Sequence, residues 1–200
     1  MKHLCRIAVL LGLLTSSGSL FAQDNASTVR VKLVTSAGDI TLRLYPEKSP
    51  VTVKNFLAYV DSGFYNETIF HRVIRNFMVQ GGGFTTAMTE KESGEPIVNE
   101  SRNKLHNIRG TIAMARTSEP DSATAQFFIN QRSNLPLDWA PGKQGYTVFG
   151  EVVKGMGVVD FIATADTDTG LMVTSAGQRP FQDVPVEAII IKKVVRVPGK

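Results

Sequence analysis

The sequence has a single cysteine, Cys5, close to its first residue. One thiol cannot form an internal disulfide, and Cys5 lies in a segment that we expect to be removed. Disulfide stabilisation and thiol chemistry are therefore excluded for the rest of the chain. Histidine is also scarce, and neither His71 nor His106 has a cysteine near it. We accordingly predict no metal site.

Runs of basic residues are absent as well. The 22 Lys and Arg residues are set against 18 Asp and Glu residues, which gives a formal net charge of +4. Without a basic run we expect no nucleic-acid partner. The glycines at 81–83 are not followed by the Gly-Lys-Ser/Thr ending of a phosphate loop, and no Gly-x-Ser-x-Gly elbow occurs. These absences argue against phosphate-loop and serine-hydrolase chemistry.

No apolar run reaches the ~20 residues that span a bilayer. A shorter apolar run at residues 7–14 follows two basic residues and precedes small residues that end at Ala22. This order predicts a secretory signal peptide at residues 1–22, cleaved between Ala22 and Gln23; the alternative is an uncleaved membrane anchor. Cleavage would leave a periplasmic or secreted protein without stable membrane insertion. Its formal charge would fall by two to +2, because the leader carries two basic residues and no acidic one.

The remaining sequence predicts one domain at residues 29–197, after a flexible polar lead-in at residues 23–28. Residues 29–45 alternate between apolar and polar side chains around a Ser-Ala-Gly-Asp turn, which is typical of a hairpin with one buried face. Residues 186–197 are rich in β-branched side chains and are suited to pair with the first strand. Many short strands and joined ends favour a closed barrel, which has no free sheet edge.

Two helices interrupt the strands. Ser49 is a suitable N-cap, Pro50 suits the first helical position, and apolar residues at helical spacing follow up to Gly63. A second short helix is predicted at residues 156–163. The polar stretch at residues 85–106 is predicted to be irregular.

The segment at residues 70–83 combines arginine, glutamine and three glycines with large apolar side chains. As two strands around a turn at residues 75–76, its alternation places Arg72 on the face opposite His71. A cation, the amide of Gln80 and neighbouring apolar groups could then line one hollow. Such a hollow suits an apolar ligand that carries a carbonyl group.

This segment closely resembles the core motif of the cyclophilins, the peptidyl-prolyl cis/trans isomerases. The resemblance continues, in the family's order and spacing, at residues 110–116, 122–130 and 145–150, and covers roughly residues 29–197. The tract that ends at Arg116 is similar to the bacterial, exported branch. The resemblance implies a mostly β fold: a closed antiparallel barrel of about eight strands with an α-helix over each open end.

The resemblance also implies the site. Arg72 aligns with the family's catalytic arginine, and Gln80 would support it and hold the residue before proline. The implied substrate-binding residues are Phe77, Met78, Ala115, Arg116, Thr117, Gln126, Phe128, Leu137 and Tyr146. Their side chains also have ordinary structural interpretations: a surface ion pair for the arginine, core packing for the apolar residues, backbone hydrogen bonds for the glutamines and a place on the barrel rim for Tyr146.

The chemistry of rotation about a prolyl amide bond explains why the site needs an arginine. A prolyl amide resists rotation because its nitrogen lone pair is delocalised into the carbonyl, with a barrier of ~18–20 kcal/mol. As the bond twists, the lone pair returns to nitrogen and can accept a hydrogen bond from a fixed guanidinium. That bond exists only in the twisted state, so it stabilises the transition state selectively. The mechanism requires no cofactor.

Two departures from the family pattern stand out. Many eukaryotic relatives carry a tryptophan just before the Leu-Asp pair, where this chain has Pro136, so one wall of the pocket is missing or rebuilt. Trp139 lies in the following loop, which looks longer than in those relatives. Arg75 and Asn76 stand where proline and glycine are common, and asparagine tolerates such a turn.

The predicted function is a prolyl isomerase that acts on proline-containing peptides and on unfolded or partly folded exported proteins, as a monomer. The alternative is a proline-peptide-binding module or holdase chaperone with little catalysis.

Overall fold

A barrel of eight antiparallel strands, with a separate two-stranded hairpin, is the frame of the computed structural model, which describes residues 29–198. In chain order the elements are β1 (Arg30–Thr35), β2 (Gly38–Leu44), α1 (Pro50–Asp61), β3 (Thr68–Ile74), β4 (Met78–Thr85), β5 (Thr111–Met114), β6 (Phe127–Asn130), β7 (Val148–Lys154), α2 (Met156–Ile162), β8 (Thr167–Thr174), β9 (Gly177–Pro185) and β10 (Ile190–Val197). Around the barrel the strands follow the order β1, β10, β3, β4, β6, β5, β7, β2. The predicted barrel is confirmed.

The two ends of the domain meet in this barrel. Arg30 at the start of β1 pairs with Val197 at the end of β10, and β2 pairs with both β1 and β7. Val31 and Leu33 are completely buried while Arg30 is exposed, as the alternation predicted. Pairing of the first and last strands closes the sheet, so neither strand leaves a free edge.

Helix α1 lies against the barrel core through one apolar stripe. Phe56 is fully buried, and its ring centroid lies 5.2 Å from that of Tyr65, 5.8 Å from that of Phe127 and 5.1 Å from that of Phe149. Tilted and edge-on aromatic pairs at these distances add to the free energy of burial. In α2, the buried residues Val159 and Ile162 join the same core.

The start of α1 differs from the prediction. Ser49 precedes the helix, but its hydroxyl donates to the carbonyl of Val148 instead of capping. The free N–H groups of the first turn are bound by Glu100 from the long loop: its Oε1 accepts from Val51 N at 3.1 Å and its Oε2 accepts from Thr52 N at 2.9 Å. A carboxylate at this end of a helix also interacts favourably with the helix dipole.

The hairpin formed by β8 and β9 was not predicted. Its turn uses the chemistry of the β1–β2 turn, since the hydroxyls of Thr35 and Thr174 each donate to a glycine carbonyl three residues on. The hairpin packs beside β3 through a small apolar cluster whose buried members are Ile69, Phe84, Met172 and Val184. Most of its residues are exposed, and this explains why its sequence shows little alternation.

Among residues 29–198, no helix is both long and apolar enough to cross a membrane. The predicted signal peptide at residues 1–22 and the lead-in at residues 23–28 lie outside the described residues.

Candidate active site

An extra residue in β3 determines which side chains face outward. The pairing of β3 with β4 shifts between Phe70 and Arg72, so His71 has no separate partner opposite it. Phe70 and Val73 both point into the barrel core, while His71 and Arg72 both line one cavity outside it. The prediction that Arg72 and His71 lie on opposite faces is therefore wrong. A β-bulge is the physical reason, because it interrupts the two-residue alternation.

The floor of this cavity is an apolar cluster separate from the barrel core. Its buried members are Met78, Ala113, Phe128 and Val148. Phe128 faces this cluster, whereas Phe127 and Ile129 on either side of it face the core, because successive side chains of a strand point to opposite faces.

The cavity has a volume of about 430 Å³. Its lining comes from β3, β4, the end of β5, β6, the loop before β7 and strand β9. The lining residues are His71, Arg72, Phe77, Met78, Gln80, Ala115, Arg116, Phe128, Leu137, Tyr146, Pro180, Phe181 and Gln182.

Nine of the eleven predicted site residues are thus brought together. The two that do not line the cavity are Thr117 and Gln126. Thr117 is bound to its own loop, where its backbone N–H donates to Ser122 Oγ at 2.9 Å. The Oε1 of Gln126 accepts a hydrogen bond over 3.0 Å from Nε2 of Gln80, which does line the cavity.

Gln80 is paired across from Arg72 in the β3–β4 ladder, yet its side-chain amide bonds to Gln126. Within residues 29–198, no hydrogen bond joins Gln80 to the guanidinium of Arg72. The charged partner of Arg72 is Asp183 of β9, whose Oδ2 lies 3.5 Å from Arg72 Nε.

Arg116 has a structural role at the cavity edge. Its guanidinium carbon lies 4.5 Å from the centroid of the Tyr146 ring, and Tyr146 in turn meets Phe128 edge-on at 5.6 Å. The guanidinium donates to a set of loop carbonyls, those of Thr117, Ser118, Gln144 and Gly145. It therefore holds the loop against Tyr146, and a cation over the ring face stabilises that position.

Leu137 forms the cavity wall next to Pro136, and the residue that follows it, Asp138, is anchored by hydrogen bonds. Burial by itself would raise the pKa of Asp138, but hydrogen bonds from the backbone N–H and side chain of Asn107 and from His106 outweigh it, so the pKa lies below its usual value. Trp139 does not line the cavity; the guanidinium of Arg102 lies 5.1 Å from its ring. Leu137 thus forms the wall at this point, and neither Pro136 nor Trp139 is among the residues that line the cavity.

His71 is buried beside Arg72, with 1% of its surface exposed. Burial lowers the pKa of its imidazole to about 4, and the nearby charge of Arg72 acts in the same direction as burial. The ring is therefore neutral at pH 7.

Sequence reasoning missed His71 and the β9 residues Pro180, Phe181 and Gln182 as parts of the wall. Alternation misplaces His71 because of the bulge, and no local pattern marks the three β9 residues, because β9 lies about a hundred residues after Arg72 in the chain.

Residues 30–195 match the model of a family described as cyclophilin type peptidyl-prolyl cis-trans isomerase/CLD. The chain belongs to this family. Peptidyl-prolyl cis-trans isomerase A of Dickeya dadantii is 50% identical over 191 residues, which cover 96% of this chain and 95% of that protein. Peptidyl-prolyl cis-trans isomerase B of Escherichia coli is 52% identical over 163 residues, which cover 80% of this chain and 94% of that protein. This cyclophilin is accordingly a peptidyl-prolyl cis-trans isomerase.

Solved structures agree with the fold. A cyclophilin type peptidyl-prolyl cis-trans isomerase from Cryptosporidium parvum matches with a TM-score of 0.69 and 27% identity, over 86% of this chain and 99% of that one. A structure of the C. parvum protein in the presence of the dipeptide Ala-Pro matches with a TM-score of 0.68 and 28% identity, over 85% of this chain and 99% of that one.

Proposed function

We propose that this cyclophilin binds an X-Pro segment in the cavity beside Arg72 and that Arg72 donates a hydrogen bond to the prolyl nitrogen as the amide twists. The observation that supports this most directly is that the Arg72 guanidinium and the Phe128–Met78 floor line one cavity. The floor receives the proline ring and excludes water. The C. parvum relative has been solved in the presence of Ala-Pro, a ligand of the same chemistry.

The energy that this mechanism must supply is modest. A barrier of ~19 kcal/mol corresponds to less than about one event per second, so an ordinary turnover of ~10–10³ per second requires roughly 3–6 kcal/mol. A hydrogen bond from a charged donor contributes ~1.5–3 kcal/mol. Loss of water around the amide supplies part of the remainder, because the twisted amide has less charge separation than the planar one.

The experiment compares wild type, Arg72→Ala and Arg72→Lys on a short, uncharged X-Pro peptide by NMR exchange. Arg72→Ala should lower kcat/KM at least about tenfold with unchanged melting temperature, because it removes an interaction made in the transition state. Arg72→Lys should recover little, since an ammonium lacks the planar guanidinium geometry. Wild-type turnover in Arg72→Ala would refute the role of Arg72. Peptide binding by the wild type with near-uncatalysed exchange would indicate a binding module or holdase.

We further propose that this enzyme works on exported proteins outside the cytoplasm, as a monomer of the bacterial exported branch. The order of charge, apolar run and small residues before Gln23 supports export. The alignment with the D. dadantii protein spans 191 residues, which is more than the number of residues that follow residue 28 of this chain. That relative therefore has a counterpart for part of residues 1–28. The substrates would be proline-containing stretches of unfolded or partly folded proteins.

Intact-mass measurement of protein recovered from the periplasm or medium tests export. The expected mass is that of a chain that begins at Gln23. A mass that retains Cys5, or recovery from the cytoplasm alone, would refute the proposal. Size-exclusion chromatography with light scattering tests the monomer.

A further inference from the structure

The β8–β9 hairpin packs against the barrel beside the cavity, and β9 contributes part of the cavity wall. Two of its residues are buried where the hairpin packs beside the barrel: Met172 is completely buried and Val184 is 4% exposed. The ring of Phe181 lies 5.5 Å from that of Phe84, which in turn lies 4.7 Å from the imidazole of His71. These contacts connect β9, through Phe84, to His71, the residue next to Arg72.

Strand β9 contains a bulge at the point where it passes Arg72. Asp168 pairs with Val184 and Gly170 pairs with Phe181, so Thr169 alone faces two residues of β9. One of these two is Asp183, whose φ of 62° lies in the left-handed region. Bulges re-aim side chains, and non-glycine residues in this conformation recur at functional sites.

The carboxylate of Asp183 lies beside one edge of the Arg72 guanidinium, the edge that carries Nε. Asp183 Oδ2 lies 3.5 Å from Arg72 Nε. Among residues 29–198, no hydrogen bond or ion pair engages the two terminal nitrogens of Arg72. The carboxylate therefore attracts one edge of the guanidinium and leaves the other donors available to a bound peptide.

We propose that Asp183 is a positioning residue for Arg72: the β9 bulge aims its carboxylate at the Nε edge, which holds the guanidinium in place for the twisting amide. This inference depends on the proposed role of Arg72. Asp183 acts through Arg72 and does not touch the peptide. The two side chains are 43% and 36% exposed, so the attraction is screened and its contribution is small.

The test variant is Asp183→Asn, because asparagine keeps the shape and tolerates the left-handed backbone while it removes the charge. Turnover of a neutral X-Pro peptide at low salt should fall about two- to fivefold, which is the range expected for an exposed ion pair. KM and melting temperature should remain those of wild type. Asp168→Asn is the matched control: it removes one charge from the same hairpin without touching Arg72, and its kcat should equal that of wild type.

Salt provides a readout that a structural role would not affect. From 0.01 M to 1 M salt the screening length shrinks from about 30 Å to about 3 Å. As the salt concentration increases, kcat of the wild type should therefore fall towards that of Asp183→Asn, while kcat of Asp183→Asn stays constant. Equal salt dependence in both proteins would overturn the proposal. So would a change in KM at constant kcat, which would mean that Asp183 contacts the peptide.

A double-mutant cycle separates this inference from the proposed function. In an Arg72→Ala background, Asp183→Asn should have no further effect on turnover, because the group that it positions is gone. A further loss there would show that Asp183 acts independently and would overturn the proposal. If Arg72→Ala is impaired but Asp183→Asn has wild-type kcat, the positioning role alone fails. If Arg72→Ala keeps wild-type turnover, the proposed function fails first.

Discussion

Gln126 lies so close over Gly83 that a β-carbon at position 83 would come within 2.5 Å of Gln126 Cγ and 2.7 Å of its Nε2. Gly83 ends the three-glycine tract of the motif, and its missing side chain leaves the room that Gln126 occupies beside β4. From that position Gln126 accepts the hydrogen bond of Gln80, whose side chain lines the cavity. The glycine therefore supports the site through two glutamines.

Gly83→Ala should accordingly displace Gln126 and release the Gln80 amide. We expect kcat/KM to fall about three- to tenfold, because a lost hydrogen bond of ~1 kcal/mol and a misplaced amide both weaken peptide binding. Gly157→Ala is the control, since a β-carbon there meets nothing within 4 Å. Wild-type kcat/KM in Gly83→Ala, measured beside the control, would contradict this account.

The neutral, buried His71 should make the protein less stable in mild acid. Its pKa is about 4 in the folded protein, against about 6.5 when unfolded. Between these values only the unfolded chain binds the proton, so stability falls as pH decreases from about 6.5 to about 4. The loss approaches about 3 kcal/mol at the lower limit.

Urea unfolding at pH 7, 5.5 and 4 measures this loss. His71→Gln, which cannot be protonated, should lose less stability over the same interval than wild type, and the difference is the contribution of the imidazole. Parallel curves for the two proteins would show that His71 is not kept neutral. The carboxylate of Asp138 acts in a lower interval, because its stabilisation is complete above the usual pKa of an aspartate and is lost as pH falls from there through the lowered pKa of the folded protein.

Glu100 should stabilise the start of α1. Glu100→Ala removes the acceptor of Val51 N and Thr52 N, and we expect the free energy of unfolding to fall by about 0.5–2 kcal/mol. Ser49→Ala also destabilises the protein, but by loss of its buried bond to Val148 O. Glu92→Ala, an exposed change in the same loop, is the control for Glu100→Ala. No difference between Glu100→Ala and this control in urea unfolding would refute the cap.

Activity should survive EDTA and thiol-blocking reagents. Cys5 is the only thiol and lies in the predicted leader, and residues 29–198 contain no group of three or more His, Cys, Asp or Glu residues placed to hold a metal. Turnover of the protein that begins at Gln23 should be the same before and after each treatment. Loss with EDTA that one metal restores would contradict the mechanism.

Much of the barrel could be predicted because its signals are local. The alternation of Val31 and Leu33 with charged residues reports a half-buried strand wherever the partner strand lies, and the apolar stripe of α1 reports a helix with one buried face. The pocket followed from the motif, since Phe77, Met78 and Phe128 belong to short segments whose order and spacing resemble the family.

The sequence by itself determined the alternating strands at the two ends of the barrel, the first helix and the family to which the site belongs, because alternation, helical spacing and motif spacing act within a few residues. Only the tertiary structure decided that His71 shares the cavity with Arg72, that Glu100 caps α1 and that Asp183 faces Arg72. The first depends on a bulge, which arises from strand pairing. The other two join residues 48 or more positions apart, and such contacts form only when the closed barrel brings distant loops and strands together.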